Sequence, residues 1–154
     1  MSKRNLLVIV DGSDEMQTAL QFACIRAKKT NGHLTLASFI KPIDVLTTKS
    51  VSEIMRNEAR AEAENMLHKA SAYAKEETGI TATLCVREGE LIEELLKLVE
   101  IEKSITELIL AASKDEKSPG PIITSITTKN YLRLNIPLII VPGNLSKEYI
   151  KQIG

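Results

Sequence analysis

The side chains able to carry out chemistry are few and scattered. The chain has two histidines, His33 and His68, and two cysteines, Cys24 and Cys85, among 154 residues. Nucleophilic catalysis needs the nucleophile and its base within hydrogen-bond reach of each other. His33 only opens an apolar run that ends at Ile40, and His68 sits among polar neighbours in a helical stretch. Neither is placed to meet a Ser or Cys nucleophile. Two distant histidines without a cysteine cluster make no metal site either. Each cysteine lies inside an apolar stretch, where a free thiol behaves as a small buried hydrophobe. No catalytic set and no metal ligands are expected.

Two segments carry a different chemistry, the binding of an anion or a nucleotide. Asp11-Gly12-Ser13 follows the apolar run Leu6 to Val10. An Asp there can turn the chain and help to cap the next helix, or it can face a ligand; both readings stand. Ser118-Pro119-Gly120-Pro121 precedes a helical pattern, with Pro121 suited to the first helical position. The helix it opens presents free N–H groups of Ile122 and Ile123, with the hydroxyls of Thr124 and Ser125 beside them. A helix start of this kind attracts anions, and Lys114 and Lys117 add positive charge. The plain alternative is a rigid turn. The familiar phosphate motifs are absent: there is no G-x-x-x-x-G-K-[ST], and Asp11 to Met16 holds only Gly12 where a dinucleotide fingerprint needs three glycines. A receiver domain would need an Asp ending strand three and a Lys after strand five, where the chain has Val86-Arg87 and Val141-Pro142.

The elements that must position these residues alternate from end to end. Leu6 to Val10 reads as a strand buried on both faces. Met16, Ala19, Leu20, Ala23 and Ala27 recur at helical spacing, capped by Ser13 or Asp14 and ended by Gly32 after Asn31. Leu34 to Ile40 is the second strand, closed by Pro42. The polar stretch Asp44 to Ser50 leads into a long helix whose inner face is Met55, Ala59, Ala63, Met66, Ala70 and Ala74, stopped at Gly79. Thr81 to Val86 is the third strand, with Arg87-Glu88-Gly89 as its turn. Leu91, Ile92, Leu95, Leu96 and Val99 mark an amphipathic helix. Glu107 to Ala112 is the fourth strand, followed by a loop from Ser113 to Gly120 and a helix that ends before Pro137. Leu138 to Val141 is the fifth strand, halted by Pro142-Gly143, and a polar tail follows.

Such alternation implies a parallel sheet with right-handed crossovers and helices on both faces, in a single domain spanning residues 1–154. Ligands collect outside the carboxyl ends of strands in such sheets. That rule nominates Asp11-Gly12-Ser13, Phe39-Ile40-Lys41, Arg87-Glu88-Gly89, and Ala112 through Ser125. It places His33 on the opposite rim. Twenty basic and twenty acidic residues cancel, so no global field draws the chain to nucleic acid or membrane. No apolar run reaches the ~18 residues of a membrane span. Met1 to Asn5 leads into a short apolar run ending in an acid rather than a signal peptide, so a cytoplasmic protein is expected.

Leu7-Val8-Ile9-Val10-Asp11-Gly12-Ser13, followed by a helix with Ala19-Leu20 and Ala23, resembles the opening of the universal stress protein family, a strand ending V-D-G-S. Leu34-Thr35-Leu36 is similar to its second strand, and Pro137-Leu138-Ile139-Ile140-Val141-Pro142 to its last. The resemblance implies a five-stranded parallel sheet of order 3-2-1-4-5, of the adenine nucleotide alpha hydrolase-like type. It also implies a homodimer through the last strand, Ile136 to Val141. Many members bind ATP, and by position Asp11 would face the nucleotide while a main-chain group of Phe39 or Ile40 would hold adenine. ATP-binding members carry G-x-x-G and, nine residues on, G-[ST] after strand four. Those places hold Ala112, Asp115 and Thr124-Ser125, in a loop one residue shorter. Without glycine there is no ready positive φ and no close backbone approach to phosphate. Ser118-Pro119-Gly120-Pro121 resembles a G-P-G-P loop of a subset of the family. The candidate site is therefore Asp11, Gly12, Ser13, Phe39, Ile40, Ala112, Ser113, Gly120, Ile122, Ile123, Thr124 and Ser125, for a weakly held ATP, AMP or other anion. The implied function is a non-catalytic stress-response protein with an unidentified protein partner. The alternatives are an ATP-binding member with a variant loop, and an interaction module with a filled cleft.

Overall fold

The computed structural model describes residues 3–43 and 48–154. The first strand, β1 (Asn5–Ile9), leads to α1 (Asp14–Thr30), then β2 (His33–Ile40) and α2 (Lys49–Thr78). Next come β3 (Thr83–Glu88), α3 (Leu91–Ile101), β4 (Glu107–Ala112) and α4 (Pro121–Thr128), and the chain closes with β5 (Leu138–Pro142) and α5 (Lys147–Ile153). All strand pairings are parallel, and the sheet order is β3-β2-β1-β4-β5. This is the expected order.

The continuous apolar run of β1 follows from its central place. Leu6, Val8 and Val10 pack under the α1–α2 layer with Leu20, Ala23 and Leu67. Leu7 and Ile9 face the other way, into a second core with Leu95, Val99, Ile123 and Ile126. A half-exposed strand would alternate, whereas this one has no polar face to offer. Nearly every large buried side chain is aliphatic.

Several boundaries differ from expectation, each for a local reason. Asn31, not Gly32, takes the left-handed conformation at the end of α1, with φ 54°. Gly32 is required by contact instead, since a Cβ there would lie 2.7 Å from the Arg4 carbonyl oxygen. Arg87 and Glu88 belong to β3 rather than to its turn, because β2 runs on far enough to pair with them. The inner face of α2 is Ala63, Leu67, Ala70 and Ala74; Met55 is exposed and Met66 only half-buried. At ~1.5 Å per residue, a helix this long spans about 45 Å, against about 26 Å for β2. Its first turns therefore overhang the sheet, and Met55 is left 42% exposed. The beginning of the polar stretch Asp44 to Ser50 lies outside the described residues.

The expected polar tail is in fact a helix. Ser146 caps α5 by accepting the Tyr149 N–H at 3.2 Å, and Ile150 is fully buried against the α1–α2 layer. Seven residues are too few for a helical pattern to show, so only the packing reveals it. Among the described residues no helix is long and apolar enough to cross a membrane.

Candidate functional site

The strand order reverses direction between β1 and β4, and the carboxyl ends of those two strands frame a cavity. Its walls are Ile9, Ile109 and Ala111 below, Asp11, Ser13, Glu15 and Met16 on the α1 side, and Pro119 to Ile123 on the α4 side. The structure thus brings Asp11, Ser13, Gly120, Ile122 and Ile123 together, as the sequence suggested. The room inside is about 100 Å³. A water occupies ~30 Å³ and small-molecule pockets run from ~300 Å³ upwards, so the cavity holds a few waters as it stands.

Asp11 performs the turning role, and it also lines the cavity. Its Oδ1 accepts the Ser13 N–H at 2.9 Å and the Ser13 hydroxyl at 2.6 Å. Ser13 in turn accepts the Met16 N–H at 3.3 Å, capping α1. Gly12 makes this turn with φ 77°, and a Cβ there would sit 2.9 Å from Met66 Sδ. Gly12 itself faces the separate groove between α1 and α2. Glu15, which sequence reasoning passed over, also lines the cavity. Its signal was its place in the first turn of a helix that starts at the carboxyl end of β1. Among the described residues, two carboxylates and no Lys, Arg or His line this space, which disfavours a polyphosphate.

The loop between β4 and α4 closes upon itself. Ser113 donates its N–H to the Pro119 carbonyl at 2.9 Å, and its hydroxyl oxygen accepts the Asp115 N–H at 3.2 Å. Asp115 accepts the Lys117 N–H at 2.9 Å through Oδ1, and Ser118 accepts the Gly120 N–H at 3.2 Å. Most donors a phosphate would use are thus already bonded within the loop. None of Ala112, Asp115 and Thr124 has positive φ, so the usual glycine nest is not formed. Gly120 does have it, at 115°, and no atom within 4 Å would meet a Cβ.

The start of α4 keeps the two donors expected of it. The N–H groups of Ile122 and Ile123 find no acceptor among the described residues. Thr124 and Ser125 stand apart from the cavity. Thr124 donates both its N–H and its hydroxyl to the Gly120 carbonyl, and Ser125 Oγ accepts from Asn130 at 3.0 Å. Ala112 lies at the end of β4 opposite Pro142, and neither it nor Ser113 lines the cavity.

The end of β2 separates Phe39 from Ile40. In a parallel ladder a residue directs its N–H and C=O to one side, and the sides alternate. The Ala37 carbonyl accepts the Val10 N–H at 2.7 Å on the β1 side, and the Ile40 carbonyl accepts the Gly89 N–H at 3.0 Å on the β3 side. Phe39 shares the orientation of Ala37, but β1 has already ended at Ile9. Its main-chain groups therefore point over the rim beyond β1 and find no partner among the described residues. Of the two residues, Phe39 is the one with backbone to offer a ligand.

Both cysteines are free. Burial, and then the nearby Glu77, push the Cys24 thiol up to about 12. Burial also raises Cys85, against the opposing pull of Arg87. Neither favours a thiolate. Among the described residues no group of His, Cys, Asp and Glu could hold a metal ion.

No curated protein matches the chain. Among solved structures, the universal stress protein UspA from Lactobacillus plantarum is 15% identical, with a TM-score of 0.74 over 92% of this chain and 99% of that one. A universal stress protein in complex with cAMP is 17% identical, with a TM-score of 0.67 over 94% of this chain and all of that one. The universal stress protein from Archaeoglobus fulgidus in complex with dAMP is 20% identical, with a TM-score of 0.63 over 92% and 99%. At such identities these likenesses speak for the fold. The model of the universal stress protein family matches residues 3–142, from the start of β1 to the end of β5. With that match, the sheet order and the V-D-G-S turn of β1 in agreement, the chain belongs to the universal stress protein family.

Proposed function

We propose that this protein is a non-catalytic, cytoplasmic stress-response protein that acts as a homodimer and holds an adenine mononucleotide or similar anion weakly. The observation that carries this reading is the loop from Ser113 to Gly120, whose donors are bonded within the loop beside a cavity lined by Asp11 and Glu15. A triphosphate would meet two carboxylates and few free donors. A mononucleotide asks less: one phosphate near the Ile122 and Ile123 N–H groups, and a base edge near the Phe39 backbone. The relatives with cAMP and dAMP support a nucleotide of that size. Since the cavity takes only part of such a ligand, the rest lies over the open rim, and affinity is low. Dimerisation through Ile136 to Val141 rests on β5 being an edge of the sheet with Ile140 43% exposed. An apolar edge invites pairing with a second copy.

Calorimetric titration with AMP and with ATP, each with and without Mg²⁺, tests the reading. ATP is expected to bind no tighter than hundreds of micromolar, or ~5 kcal/mol, and AMP at least as well. Micromolar ATP binding overturns it in favour of an ATP-binding member with a variant loop. A second reading, an interaction module with a filled cleft, is favoured by the ~100 Å³ of the cavity. No binding of either nucleotide at millimolar concentration supports that one.

A further inference from the structure

The opposite rim of the sheet has the reverse electrostatic character. At the amino ends of the strands lies a depression of about 360 Å³, open to solvent, lined by Lys3, Asn5, His33, Lys103, Ser104 and Thr106. Two ammonium groups border it; among the described residues no carboxylate lines it directly, and Glu102 accepts the hydroxyl of the lining residue Ser104 at 2.8 Å. Neither Lys3 nor Lys103 forms an ion pair among the described residues. Lys103 has a local reason to be cationic, since it follows the carboxyl end of α3; Lys3 has none. The nearest buried acid, Glu107, is already held by Arg4 at 2.6 Å and by Arg26 at 3.1 Å.

The floor of the depression is held by a hydrogen-bonded network. Asn5 is 7% exposed; its amide donates to Ser104 Oγ at 3.1 Å, and its carbonyl oxygen accepts the Thr35 hydroxyl at 2.8 Å. Thr106 Oγ1 accepts the Asn5 N–H at 2.9 Å, and Ser104 gives its hydroxyl to Glu102 at 2.8 Å. The side-chain hydroxyls are thus engaged. What stays free is both ammonium groups, the main-chain N–H groups of Lys103 and Ser104, and one ring nitrogen of His33, whose Nε2 pairs with Thr83 Oγ1 at 2.8 Å. Free donors, excess positive charge and a polar floor suit a small divalent oxyanion.

We propose that this amino-rim depression is a second ligand site, for inorganic phosphate or the phosphate of a small phosphomonoester, distinct from the cavity at the carboxyl rim. It does not depend on nucleotide binding at that cavity. The test is a residue-resolved NMR titration of the intact protein with sodium phosphate, with glycerol phosphate, and with sodium chloride at matched ionic strength. The His33 ring and the Lys103 and Ser104 amides are expected to shift saturably with both phosphate compounds and not with chloride. Tighter binding of inorganic phosphate identifies the free ion as the ligand, and tighter binding of the ester identifies a metabolite. Both orders support the site. Lys3→Ala combined with Lys103→Ala should weaken binding by roughly tenfold or more. Both lysines are exposed, so the double variant is expected to fold, and its spectrum verifies this. Shifts that chloride reproduces, or an undiminished affinity in the folded double variant, overturn the proposal.

Discussion

Replacing Ile150 by Ala tests whether the last helix is part of the domain, although the family match stops before it. Ile150 is fully buried, the only buried residue of α5. The substitution removes roughly three methylene equivalents at ~0.8 kcal/mol each, about 2.4 kcal/mol. A sealed core would add a cavity cost, but α5 lies on the outside of α1 and can settle inward, so about 2–3 kcal/mol is expected. Against a total of ~5–15 kcal/mol this is a large loss. With a urea slope of ~2 kcal/mol/M, the unfolding midpoint should fall by about 1 M. A second readout comes from Cys24, which lines the small space beneath Ile150 and Lys147 and is 1% exposed. With burial pushing its thiol up to about 12, the reactive thiolate is scarce at pH 8. Loosening α5 hydrates that thiol, so its reaction with a disulfide reagent under native conditions should quicken severalfold. An unchanged midpoint refutes the claim that α5 is integral. A lower midpoint with unchanged Cys24 labelling refutes the placement of α5 over the thiol.

Arg133 clamps Glu93 through paired bonds of 3.0 Å and holds its carboxyl below the usual carboxylate range, chiefly by hydrogen bonding. Because the folded value is depressed, the stabilisation is present above the unfolded value of ~4.3 and is lost as pH falls through the folded value; in Arg133→Ala an NMR titration should show Glu93 returning upward, and an unmoved titration defeats the assignment. Ile140→Lys places a charge on the exposed face of edge strand β5 and should weaken the proposed dimer by roughly tenfold or more in sedimentation equilibrium, and a protein that is monomeric throughout defeats that proposal; Ile139 is the poorer probe because it packs on the core. Asp115→Gly removes a carboxylate and frees the Lys117 N–H, so nucleotide affinity should rise in calorimetry. Thr124→Gly lies within α4 and should cost about 1 kcal/mol of stability with no gain in affinity; a gain from Thr124→Gly alone contradicts the description of the loop.

Much of the architecture was determined by the sequence alone, because short apolar runs bounded by turn residues alternate with stretches of helical periodicity. The unbroken run Leu6 to Val10, the alternation of strands and helices, and the turn Asp11-Gly12-Ser13 sufficed for a parallel sheet with Asp11 at its carboxyl rim. Short or marginal elements escaped, since α5 has one turn of contact and no periodicity, and the overhang of α2 depends on the length of a strand elsewhere. At the site, residue types showed that the usual glycines were missing, but not what replaced them. Only the tertiary structure decided that Asp115 and Ser118 use the loop's donors, that Glu15 joins Asp11 in the cavity, and that Phe39 rather than Ile40 keeps its backbone free. The same holds for the amino rim, where Lys3, His33 and Lys103 come from three distant stretches of chain. Spacing along a sequence records what one element does; which donors are left over depends on how elements far apart in the chain meet.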